Sequence, residues 1–277
     1  MDKNLEFVAL NRTLLEILAL SDISKAIQQK IVEVCLVAQK NRAYIAGGFV
    51  ERLAYFNNEL NQVTLYPISL QNYLYTGDID LFFHDEQSFK ACAKDIENVY
   101  GEFTMSSNSA LTKKIRVSSF EEIKIQLIKY QFAPPSEALK RFDIYNVACY
   151  VDFTSNRIFV DKHTHLCINN YQIDFLNFEI LFDSLSSCHR LLAWVSHHPG
   201  YQSLSTQANL LLSDKLQKEL KLMPIAAVHQ LSKFLTQKIF RLSPDTILLL
   251  ASILPPGGYP NSNPTPLDVL KRCRYIY

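Results

Sequence analysis

Apolar residues recur at helical spacing through "LEFVALNRTLLEILAL" (residues 5–20), which predicts a helix there. Ser21 and Ser24 are caps for a second helix that carries Ile27, Ile31 and Val34 on one face. The pattern then shortens. "AYIAGGFVERLAYF" predicts a short strand, a glycine turn and a helix from about Phe49. Residues 59–76 are polar and aromatic with one proline and predict a loop or a small insertion. "DIDLFFH" has the apolar run of a buried strand, and "DEQSFKACAKDIENVY" a helix with Asp85 near its start. Three β-like runs follow ("GEFTMSS", "LTKKIRVSS", "EIKIQLIKY"), then a proline-led short helix, "PPSEALKRF", and a strand, "DIYNVACYVDF". From about Asn177 the periodicity is helical with little β signal, and "PPGGYPNSNPTP" forms a loop or arm before the basic tail "LKRCRYIY". The expected organisation is N-terminal helices over residues 1–42, an α+β mixed-sheet domain over 43–175, a helical domain over 176–254, and an arm with a tail over 255–277.

Composition narrows the function classes. The 277 residues carry 28 Lys plus Arg against 27 Asp plus Glu, so no global attraction to nucleic acid or acidic membranes follows; a local basic patch stays open. The six cysteines are scattered without a CxxC pair, as in a reduced, cytoplasmic protein. No apolar run reaches spanning length, and the N-terminus lacks a signal-type core, so a soluble intracellular chain with no membrane partner is expected.

Two features carry chemistry. Gly47-Gly48 stands where a strand turns into a helix, an arrangement that lets backbone N–H groups approach a phosphate; the plain alternative is a tight turn. Asp78 and Asp80 are two residues apart at the head of a strand, so both face one side. Such like charges need a cation or donors, and hard divalent ions bind carboxylates together with substrate phosphates. The plain alternative there is a turn entering a sheet. His163, His165 and Cys167 alternate in "DKHTHLC" and would share one face of a strand, as a zinc site needs, but no fourth ligand is evident. No GxxxxGK[ST] loop is present, which disfavours a Walker-type NTPase.

In combination, "AGGFVERL" followed by "GDIDLFF" resembles the nucleotidyltransferase superfamily shared by polymerase beta, the tRNA CCA-adding enzymes and many small nucleotidyltransferases. With "IKIQLI…ALKRFDIYNVACYVDF" and "RLLAWVSHHPGY" it looks like members from phages and large DNA viruses, over approximately residues 40–205. The resemblance implies transfer of a nucleoside monophosphate from an NTP to an acceptor hydroxyl with Mg²⁺ or Mn²⁺. It implies that Gly47 and Gly48, with Arg52 and Arg190, hold the nucleotide, and that Asp78, Asp80 and Asp143 hold metal. The acceptor would be an RNA or DNA end, a protein or a small molecule, with protein partners on the C-terminal arm. Three departures stand out. Glu51-Arg52 replaces the Arg-Asp of the CCA-adding type, residues 59–76 lengthen the interval to the aspartates, and the strand that often supplies the third acid offers Lys124 and Gln126. Asp143, or Asp152 as second choice, is the expected substitute. The rival expectation is a catalytically inactive copy of the fold, kept as a structural or interaction module. A third is an RNA-binding module driven by the basic tail.

Overall fold

A computed structural model describes residues 4–60, 69–129, 132–177 and 203–204. The chain divides into two units, Met1–Ile168 and Asn169–Tyr277. In the first, the described strands form an eight-stranded sheet in the order β1-β8-β7-β2-β3-β6-β5-β4. The strands are β1 (Phe7–Thr13), β2 (Ala43–Ala46), β3 (Ile79–Phe83), β4 (Met105–Ser106), β5 (Ala110–Arg116), β6 (Glu122–Ile128), β7 (Cys149–Asp152) and β8 (Arg157–Asp161). Only β3 and β6 pair in parallel; every other neighbour is antiparallel. The helices are α1 (Leu14–Leu20), α2 (Lys25–Lys40), α3 (Gly48–Glu59), α4 (Leu70–Thr76), α5 (Glu86–Tyr100), α6 (Pro135–Ala138) and α7 (Lys162–Asn169). In the second unit, β9 (Gln172–Ile173) pairs in parallel with β10 (Ser203–Leu204).

The middle of the sheet is buried on both faces, as its apolar runs require. Alternate residues of β3 face opposite ways. Ile79, Leu81 and Phe83 are almost fully buried on one side, where Phe83 meets Phe89 of α5 edge to face, 5.4 Å between centroids. On the other side Phe82 packs with Tyr44, Ala138 and Leu139, and Tyr44 donates its hydroxyl to the Ala133 carbonyl at 3.0 Å. Residues 133–142 therefore cover the Phe82 end of this second face. Asp78 and Asp80 lie on the same face at the other end of β3.

Three local expectations change. Residues 5–20 are not one helix: β1 takes the first half, hydrogen-bonded antiparallel to β8, and α1 the second. The break is at Thr13, whose hydroxyl accepts from the Glu16 N–H while the Glu16 carboxylate accepts from the Thr13 N–H at 2.7 Å, a capping box. A short apolar run fits either period, and the available partner strand decides. The segment 59–76 contains a helix, α4, beyond the undescribed residues 61–68. "KHTHLC" is helical, so His163 and His165 diverge instead of sharing a face, and among the described residues no group of three or more His, Cys, Asp or Glu side chains is placed to hold a metal. Of the expected helical domain over 176–254 only residues 176–177 and 203–204 are described, the latter as the strand β10, while Arg190 and the arm with its tail lie outside the described residues. No described helix is long and apolar enough to cross a membrane.

Thr13→Ala removes the α1 cap and is expected to lower the unfolding free energy by about 1 kcal/mol. A urea denaturation midpoint shifted at unchanged slope checks it.

Candidate active site

The site is set by how β2 ends. Gly47 follows Ala46 with φ 87° and ψ −148°, a backbone region that side-chain-bearing residues rarely enter. Its N–H donates to the Cys149 carbonyl at 3.3 Å and its carbonyl accepts from the Glu51 N–H at 3.0 Å, which starts α3. A glycine cap brings no side-chain acceptor to the first N–H groups of the helix. These groups and the helix dipole favour an anion.

The register brings the carboxylates to this turn. Ala46 pairs with Asp80 across β2 and β3, and Asp80 with Gln126 across β3 and β6. A Cβ on Gly47 would lie 3.7 Å from Asp80 Oδ2 and 3.9 Å from the Phe142 ring, so the turn and the carboxylate are in near contact. Asp78 is bound by two of the side chains that β6 presents on this face. The Lys124 ammonium lies 2.7 Å from Asp78 Oδ1, and the Gln126 amide donates to Oδ2 at 2.6 Å. Asp80 is treated differently. Its Oδ1 is closed off from solvent and has no hydrogen-bond partner. Burial first, and then the Asp78 charge, push its carboxyl up to about 7, with Lys124 acting in the opposite direction. Two carboxylates thus share one ammonium.

The other expected residues are placed elsewhere. Asp143 is buried and accepts from the Ile144 N–H at 3.0 Å; it follows Phe142, whose ring packs on Phe82 at 5.6 Å. It does not join Asp78 and Asp80 in a three-carboxylate group among the described residues. Asp152 is committed to the β7–β8 turn, accepting from the Thr154 N–H at 3.0 Å and the Ser155 hydroxyl at 2.7 Å. Arg52 is almost wholly buried on α3, its Nε 3.5 Å from the buried Glu51 carboxylate and its guanidinium over the Tyr55 ring. The interior, and not an open phosphate cleft, surrounds it. The residue that sequence reasoning missed is Tyr73 on α4. Burial, then the charges of Asp80 and Glu51, push its phenol well above the usual range. Its only sequence signal was the glycine four residues on, directly before Asp78.

For a divalent cation the donor set is a partial fit. Asp80 offers a buried oxygen without a donor, and Asp78 would offer its oxygens once Lys124 withdrew, but a third carboxylate is not among the described residues.

The profile of the Gabija anti-defense 2 family ("Gabija anti-defense 2 family protein") matches residues 16–170, more than half of the chain. Solved structures similar to the chain include a CCA-adding enzyme in apo form I, with 14% identity, TM-score 0.54 and 98% of this chain covered. A CCA-adding enzyme in complex with ATP is similar at 13% identity and TM-score 0.58 over 89% of this chain. The Thermotoga maritima CCA-adding enzyme complexed with tRNA is similar at 13% identity and TM-score 0.53 over 98%. These likenesses show the α+β nucleotidyltransferase fold expected from the sequence. The chain spans 54–55% of those chains, about half their length. No curated protein matches it by sequence.

Asp80→Asn tests the electrostatics. The folded carboxyl titrates near 7 against 3.8 for the ordinary group, so the folded state holds the proton more tightly. Stability from this group is complete below about pH 4, declines as pH rises towards 7 and is then flat. The variant, in chelator-treated buffer, is expected to lose that slope and to be more stable than the parent at pH 8 by on the order of 1–3 kcal/mol. Thermal melts from pH 5 to about pH 8 measure it.

Proposed function

The chain belongs to the Gabija anti-defense 2 family, and on that premise we propose that it counteracts Gabija as a nucleotidyltransferase, moving a nucleoside monophosphate from an NTP to an acceptor hydroxyl of the defence with release of pyrophosphate. The observation that carries this reading is the contact between the glycine turn and the carboxylate pair, with Asp80 Oδ2 3.7 Å from the Cβ position of Gly47. On one side uncapped N–H groups favour an anion; on the other a buried carboxylate oxygen lacks a donor. A nucleotide with its divalent ion satisfies both at once. A phage or viral source, expected from the sequence resemblance, accords with an anti-defence role.

In this reading the Gly47-Gly48 turn orients the phosphates through its N–H groups, and Asp78 and Asp80 hold Mg²⁺ or Mn²⁺. Bound there, the ion would neutralise phosphate charge and acidify the acceptor hydroxyl. Lys124 keeps Asp78 compensated before nucleotide arrives, and Gln126 fixes the orientation of its carboxylate. The CCA-adding enzymes solved with ATP and with CTP lend support to an NTP as the donor. The acceptor is then an RNA or DNA end or a protein hydroxyl.

One observation favours a second reading. Asp78 is already held on both oxygens by Lys124 and Gln126, as in a copy of the fold that acts on the defence through binding alone. Incubation with each α-labelled NTP, Mg²⁺ or Mn²⁺, and purified defence components separates the two. Transfer that falls at least about 100-fold in Asp78→Ala/Asp80→Ala and on chelation supports the enzyme. Defence inhibition that survives both treatments, without transfer in the parent, supports the binding module.

A further inference from the structure

The Tyr73 side chain is packed between two glycines, Gly77 and Gly48, which leave room for it. α4 carries Tyr73 four residues before Gly77, whose N–H donates to the Tyr73 carbonyl at 2.7 Å. A Cβ on Gly77 would lie 2.5 Å from the Tyr73 Cζ and 2.6 Å from its Cε1, inside the ring's van der Waals surface. The backbone there, φ −93° and ψ 169°, suits any residue, so it is the ring that excludes a side chain. At the far end of the ring the hydroxyl oxygen lies 2.9 Å from the Cβ position of Gly48, the first residue of α3. Phe49 flanks the ring at 6.3 Å between centroids, nearly parallel.

The phenol oxygen is therefore packed against Gly48, the residue that opens α3, within reach of the Asp80 and Asp78 charges. A phosphate accepting from the first N–H groups of α3 and a phenol oxygen in this position need the same volume. We propose that Tyr73 is an intramolecular plug of the nucleotide site, filling the phosphate position until its side chain swings out. The inference rests on the nucleotide reading above and adds its regulation. The helix itself has reason to stay in place. Asp22 accepts from the Leu70 and Gln71 N–H groups at 2.9 and 3.2 Å, the Ser24 N–H donates to the Gln71 side chain at 3.1 Å, and Leu70 and Leu74 are buried. Opening is then a rotation of one side chain, and the apparent dissociation constant is the intrinsic one divided by the open fraction.

The test titrates the full chain with the non-hydrolysable analogue AMPCPP and Mg²⁺ by calorimetry. Tyr73→Ala removes the plug, and Gly77→Ala expels it with a methyl group. Each is expected to bind at least about tenfold more tightly than the parent, with Tyr73→Phe between them. Parent binding as tight as, or tighter than, both alanine variants overturns the plug. A second measurement needs no variant: hydroxyl-radical footprinting of Tyr73 in the parent chain. Oxidation of Tyr73 that rises at saturating AMPCPP supports displacement; unchanged or lower oxidation overturns it. Absence of binding by the parent and by folded variants removes the nucleotide reading itself, and the plug with it.

Discussion

Two carboxylates on one face of a strand, one of them paired with the Lys124 ammonium, are the constraint around which this site is organised. Asp78 has the Lys124 ammonium at 2.7 Å and the Gln126 amide at 2.6 Å. Asp80 has the burial and the repulsion, and its Oδ1 has no donor. A buried carboxylate in that state costs stability unless it stays protonated or gains a cation. Folding the chain therefore stores a demand for positive charge at one point of the sheet. The glycine turn beside it creates the opposite demand, for an anion at the start of α3. Neither is met by the other, because the turn offers backbone dipoles and not a full charge.

What holds the two demands together is sheet register. Ala46 opposite Asp80 puts the last residue of β2 against the carboxylate, and one step of slippage would turn Asp80 into the helix-covered face. The buried residues Ile45, Ile79, Leu81 and Phe83 make that slip costly, since each would exchange its apolar contacts for the other side of the sheet. The core is thus the positioning device of the site. The fold is shared with CCA-adding enzymes about twice as long, while the family is one of anti-defence proteins. Fold and role are separate facts.

Much of the scaffold was legible because its signals are local. The α2 face of Ile27, Ile31 and Val34, the Asp85 cap of α5 and the glycine turn after "AYIA" all appear where periodicity and capping predict them. β1 was not legible. Its residues fit helical spacing as well as a strand, and only the open edge of β8, about 150 residues later, selects the strand. "KHTHLC" failed for the same reason in reverse, as its alternation is compatible with α7. Asp143 stands in the "FD" that resembles the family, yet which residues it meets is not a property of the segment around it.

The sequence alone determined that two acids share a face of a strand entered from Gly77, that two glycines open a helix, and that Lys124 and Gln126 stand where another acid was expected. The shared face follows from a period of two and the helix start from the glycine pair, while the expected acid is what the resemblance implies. Tertiary structure decided what those residues do. The parallel pairing of β3 with β6 turned Lys124 and Gln126 into the partners of Asp78, leaving Asp80 without a donor at Oδ1. It buried Arg52 with Glu51, and it laid the Tyr73 ring from Gly77 to Gly48. Contacts between distant segments depend on which surfaces the whole chain can bury together, and no local pattern contains that information.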